Sequence, residues 1–234
     1  ALATGAREAL ERIDLRLHHG IHPRVGVLDV APIVYLRDRD RGAACAEALV
    51  LADLLGHEQG VPVFLYGELA RGRTRQQVRR GGLHALATRM QAAETAPDFG
   101  PPELHPTGGA ALVAARPPLI AFNVELAPPA TRQDARRAAA TIREGGPQGL
   151  RGVRAIGLWL ERRGVAQVST NVEDHHATTL ADVVDAISLD ATPAQAELVG
   201  LAPRAAFAGF PENLPLRNRR TIEQALAAAK QTST

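Results

Sequence analysis

Three features of the sequence predict an α+β fold in two halves. The second half runs strand, helix, strand, strand, helix, strand by hydrophobic periodicity. Its middle strands are joined by the tight turn Arg162-Arg163-Gly164, so part of the sheet is antiparallel. The first half runs helix, strand, helix, strand and closes on the break Arg116-Pro117-Pro118. Residues 1–116 and 117–234 are therefore expected as separate subdomains, the first incomplete at its start.

The elements follow in order. Leu2, Ala6, Ala9, Leu10, Ile13 and Leu17 share one helical face, and His18-His19-Gly20 with Pro23 stops that helix. The chain starts at Ala1 inside this helical pattern, so sequence upstream is expected. Val25 to Leu36 reads as a strand interrupted or edged at Pro32. Arg41 to Gly60 has helical spacing with Ala44, Leu49, Ala52 and Leu55 inward, and Val61 to Tyr66 is a short buried strand ended by Gly67. A helix is expected from Gly82 to Ala93. Asp98 to Gly109 is a loop, punctuated by Gly100, Pro101, Pro102, Pro106, Gly108 and Gly109.

In the second half Leu119 to Leu126 is a strand closed by Pro128-Pro129. Thr131 caps a helix to Glu144, with Asp134 as its pair three residues on. Val153 to Leu160 and Val165 to Val172 are strands. Thr178 or Thr179 opens a helix to Leu189, Glu197 to Leu201 is a last strand, and Gln231 to Thr234 is a polar tail. This order is the split βαβ, ferredoxin-like pattern: antiparallel or mixed sheets with helices on one face.

Composition narrows the function. The chain has 234 residues, 45% hydrophobic and 22% charged, enough for real cores. No apolar run is long enough to span a bilayer and no secretory signal opens the chain, so cytoplasm is expected and no membrane partner. Cys45 is the single cysteine, which leaves no disulfide or cysteine metal cluster. Net charge is +2 and aromatic content 3%, a poor footing for nucleic acid.

Four constellations carry possible chemistry. His18, His19 and His22 lie close together, but Gly20 and Pro23 break the helix that would align His18 and His22 on a metal, and no nearby carboxylate completes a site; no metal is expected. His22, pinned between a glycine turn and a proline at a strand entry, holds an imidazole in one pose and suits proton transfer. The loop Gly100, Pro101, Pro102, Glu103, Leu104, His105, Pro106, Thr107, Gly108, Gly109 has little freedom to lose and offers glycine amides. It suits either a flat heterocycle or a rigid connection between domains. Arg71, Arg73, Arg75, Arg79, Arg80 and Arg89 form a run without acids, either a solvated face or a carboxylate site. Alternation puts Gln167, Ser169 and Asn171 on one strand face, lining a pocket or facing water, and Asn123 is a buried polar candidate.

Taken together, six stretches resemble the formiminotransferase family. They are His22-Pro23-Arg24-Val25-Gly26-Val27-Leu28-Asp29-Val30, Val61-Pro62-Val63-Phe64-Leu65-Tyr66-Gly67-Glu68, Pro97-Asp98-Phe99-Gly100-Pro101, Leu119-Ile120-Ala121-Phe122-Asn123-Val124, Val165-Ala166-Gln167-Val168-Ser169-Thr170-Asn171 and Glu197-Leu198-Val199-Gly200-Leu201. They occur in the family's order over nearly the whole chain.

The resemblance implies two ferredoxin-like subdomains, a homodimer, and transfer of a formimino group from N-formimino-L-glutamate to tetrahydrofolate, the co-substrate. It places the acid-base histidine on His22 and the folate segment on Gly100 to Gly109. Arg24 and Arg71 are candidates for substrate carboxylates. The family's amino-terminal strand, helix and strand, which carry an assisting acidic residue, have no counterpart here, and the helix after Thr179 is shorter. Two other readings stay open: transfer of a formyl group at the same folate site, and a non-catalytic folate-binding protein.

Overall fold

The computed structural model describes residues 1–20 and 23–232, with side chains as far as Gln231. The fold is α+β. The chain divides into two units, Ala1–Pro117 and Pro118–Thr234.

The first unit opens with α1 (Leu2–Arg12), shorter than its periodicity suggests. Asp14 ends the pattern. Its carboxylate accepts the Arg16 amide and starts a separate 3₁₀ turn, Leu15–Leu17. Leu17 is left 76% exposed while Leu15 is buried. Next come β1 (Asp29–Val34), α2 (Arg41–Asp53), β2 (Val63–Leu65), α3 (Arg75–Arg79), α4 (Gly82–Gln91) and β3 (Ala111–Arg116). α2 runs on into a π-helical turn, Leu54–Glu58, and Leu49, expected inward, is exposed.

The sheet order is β1-β3-β2, and both pairings are parallel. β1 is thus an edge strand, which accommodates Pro32 and its missing donor. Ala31, Val63, Leu65, Ala111, Val113 and Ala115 pack towards α1 and α2. Phe64, Leu112 and Ala114 pack the other way, towards Val78, Leu86 and Met90 of α3 and α4. In this unit the helices occupy both faces, as a parallel sheet requires.

The second unit comprises β4 (Ile120–Leu126), α5 (Arg132–Ile142), β5 (Val153–Leu160), β6 (Val165–Val172), α6 (Leu180–Ser188), β7 (Pro193–Val199), β8 (Leu216–Arg217) and α7 (Ile222–Thr232). Thr131 with Asp134 and Thr179 with Asp182 form complete capping boxes at the starts of α5 and α6. β7 begins at Pro193, four residues before its expected start. The order is β5-β6-β4-β7-β8. The first four strands pair antiparallel in the split βαβ arrangement, and β8 adds a parallel edge. Phe122, Ile142, Leu180, Ile187 and Leu198 are fully buried between the sheet and its helices; each contributes about 1.5–3 kcal/mol relative to exposure.

Candidate active site

In the first unit the strand entry Pro23–Val27 and the end of the glycine-proline loop are stitched together. Ala110 donates its amide to Val25 O at 2.8 Å, and Val27 donates to Gly108 O at 2.9 Å. Two glycines make this approach possible. A Cβ on Gly26 would lie 1.8 Å from Ala110 O, and one on Gly109, at φ 71°, would lie 2.2 Å from Val25 O.

The loop closes on itself. His105 and Gly109 exchange both backbone hydrogen bonds at 3.0 Å. His105 Nδ1 accepts the Gly108 amide at 2.9 Å, which leaves the ring proton on Nε2. Leu15 donates its amide to Thr107 O at 2.8 Å, tying the loop to the 3₁₀ turn. The glycine amides expected to face a ligand are therefore directed inward: those of Gly108 and Gly109 serve the loop's own closure.

The other end of the loop is equally fixed. Gly100, at φ 83°, lies backbone to backbone against Gly56 of the π-helical turn, where a Cβ on Gly56 would meet Gly100 N at 2.7 Å. The Asp98 carboxylate accepts the Leu65 amide at 2.7 Å and pairs with Arg73. Between the anchors Pro102, Glu103 and Pro106 are exposed, and Pro101 and Leu104 are half-buried.

A cleft of about 310 Å³ opens beside the strand entry, lined by Ile13, Leu15, His18, Pro23, Arg24 and Asp29 among others. His22 lies outside the described residues, but Gly20, Pro23 and Arg24 around it wall this cleft. Arg24 donates to His18 O at 2.7 Å and Gly20 O at 3.0 Å, strapping the histidine loop. Asp29 takes a left-handed conformation at φ 53°. Its carboxylate accepts the Val25 amide at 2.8 Å and pairs with Arg79 of α3. Sequence reasoning passed over Asp29, although a lone acid within an apolar strand was a signal available to it.

Arg71 lies elsewhere in the same unit, in a second cleft that shares no lining residue with the first.

In the second unit β4 and β6 turn polar residues to the sheet face away from α5 and α6, where β5 adds Ile156 and Leu158. Gln167, Ser169 and Asn171 lie there opposite Glu125, Asn123 and Ala121 of β4. Asn123 is half-buried; the buried groups are Gln167 and Glu125, each 4% exposed. Arg163, from the tight turn, clamps Glu125 with two bonds of 2.5 and 2.8 Å, and Arg217 of β8 adds a third at 2.7 Å. The hydrogen bond to Glu125 raises the Arg163 pKa further. Glu125 was hidden in an apolar run, and its partners lie 38 and 92 residues away.

Among the described residues no group of three or more His, Cys, Asp or Glu could hold a metal, and no helix is long and apolar enough to cross a membrane.

Comparison with known proteins matches residues 1–116 to a formiminotransferase domain, N-terminal subdomain, and residues 121–212 to a formiminotransferase domain. The chain is 42% identical over 213 residues to a formimidoyltransferase-cyclodeaminase of Sus scrofa, covering 85% of this chain and 39% of that protein. It is 35% identical to a glutamate formimidoyltransferase of Streptococcus pyogenes serotype M1, covering 85% of this chain and 69% of the relative. A glutamate formimidoyltransferase of Thermoplasma acidophilum is 31% identical over 88% of this chain and 71% of its own length. The chain thus spans about two fifths of the length of relatives such as the Sus scrofa protein.

Proposed function

The chain belongs to the formiminotransferase family, and from that premise we propose that it moves a formimino group from N-formimino-L-glutamate to tetrahydrofolate, giving 5-formiminotetrahydrofolate and glutamate. One observation carries the reading furthest. The segment that follows His22 is hydrogen-bonded to the loop Gly100 to Gly109 within one unit, so the two candidate elements have neighbouring backbones.

In this reading His22 is both base and acid. It takes the proton from folate N5 as that nitrogen bonds to the formimino carbon. It returns the proton to the glutamate nitrogen as the old carbon–nitrogen bond breaks. An imidazole suits both halves near neutral pH. Arg24 holds the histidine loop and meets a substrate carboxylate at the first cleft, and Arg71 meets one at the second. The loop surface from Pro101 to Pro106 offers apolar rings to the flat pterin. Residues 1–116 and 117–234 are the amino- and carboxyl-terminal subdomains of a cytoplasmic homodimer, on family grounds.

The test is His22→Ala, assayed with formimino and formyl donors. Turnover of the formimino donor should fall about 10²–10⁴-fold while folate affinity is kept. Near-normal turnover removes the histidine from the mechanism, and a preference for the formyl donor replaces the proposed reaction.

A further inference from the structure

Past the carboxyl end of β2 the chain turns through Gly67–Ala70 into two successive left-handed residues, Arg71 at φ 51° and Gly72 at φ 83°. Ligands of parallel sheets gather at the carboxyl ends of strands, where loops and helix starts converge. A cleft of about 540 Å³ opens there, walled by Arg71, Arg73, Gln77, Arg80, Arg89 and Thr95 among others.

Its guanidiniums are used in two ways. Arg73 is committed: Nε donates to Leu65 O at 2.8 Å and the head pairs with Asp98. Arg89 is held by Val78 O and Arg80 O, both at 2.6 Å, so its direction is set but its charge meets no carboxylate. The guanidiniums of Arg71 and Arg80 have neither hydrogen bond nor ion pair among the described residues; only the Arg71 amide and the Arg80 carbonyl are engaged. Glu94 is the acid among the lining residues, against four arginines.

Arg71 also keeps a backbone conformation that glycine would adopt without strain. Strained backbone positions of this kind cluster at ligand clamps. Guanidiniums bind carboxylate and phosphate oxygens by paired, charge-assisted hydrogen bonds.

We infer that this cleft binds a small multivalent oxyanion, a molecule with two or more carboxylate or phosphate groups. Arg71 and Arg80 are its direct donors and Arg89 a fixed positive wall. The inference builds on the carboxylate role proposed above for Arg71, but its test needs no turnover.

The experiment is calorimetric titration of the full chain with citrate and, separately, with pyrophosphate, at low and moderate salt. Saturable binding of at least one anion is expected, weaker at the higher salt, and the tighter ligand identifies carboxylate or phosphate as the source. Arg71→Gln with Arg80→Gln should weaken binding about a hundredfold. Arg132→Gln, exposed on α5, should leave it unchanged. Arg71→Gly relieves the left-handed strain, so it should fold at least as stably as the parent while binding about tenfold more weakly. Absence of binding at millimolar anion, or equal binding by the double variant, overturns the inference. A chain that binds the anion yet transfers no formimino group leaves this site standing and removes the transferase reading.

Discussion

In the first unit β3 has parallel neighbours on both sides and apolar side chains above and below. In the second unit β4 and β6 turn apolar side chains to α5 and α6 and polar ones to the opposite face. The difference follows from hydrogen-bond geometry. Parallel strands need crossover connections, and those connections cover both faces. Antiparallel strands joined by a tight turn leave one face free for polar groups. Candidate chemistry therefore sits on loops at strand ends in the first unit, and on the sheet itself in the second.

The largest expected effect breaks the loop scaffold of the first unit. Gly26→Ala drives a Cβ into Ala110 O and should cost more than about 3 kcal/mol in urea denaturation, with turnover lost as well. A variant as stable as the parent would show that the stitch between strand entry and loop is loose.

The counterpart in the second unit is Glu125→Ala, which leaves Arg163 and Arg217 without their carboxylate. Those side chains are 43% and 36% exposed, so the expected cost is about 2 kcal/mol, below that of a wholly buried pair. Chemical denaturation reads it, and a cost near zero would mean the polar face is solvated and not organised by this carboxylate.

His105→Ala tests the loop more gently. The buried Gly108 amide loses its acceptor, for about 1–2 kcal/mol, measured in the same way. Folate affinity should fall with it if the closed loop is the binding surface.

The smallest effect separates the units by pH. The capping box of α3 pairs Thr74 with the neutral Gln77, whereas that of α5 uses Asp134, whose pKa the Thr131 hydrogen bonds lower from 3.8 to about 2. A depressed carboxyl stabilises the fold above its unfolded pKa and loses that contribution as pH falls. The thermal-stability difference between the parent and Asp134→Ala should be full at neutral pH, shrink below 3.8 and vanish near 2. The difference between the parent and Gln77→Ala should stay flat over the same range.

Legibility differed between the units for physical reasons. β4 and β6 could be read because a half-covered strand alternates, as in Ile120, Phe122 and Val124 against Ala121 and Asn123. β3, the centre of the first sheet, could not: Ala111-Leu112-Val113-Ala114-Ala115 is apolar throughout and rich in alanine, with neither alternation nor strong strand preference. The five-residue α3 was missed because it is too short to show a period, and α7 because alanine makes up most of its apolar face.

Local sequence determined the α+β class, the caps of α5 and α6 and the tight turn of the second unit. Only the tertiary structure decided that the first sheet runs parallel, that Arg24 straps its own loop while Arg71 sits in a separate cleft, and that Glu125 is gripped by Arg163 and Arg217. Caps and turns depend on neighbours within a few residues, so they are written in the chain. Strand direction and charge pairing depend on which distant segments share a surface, and no local pattern encodes that.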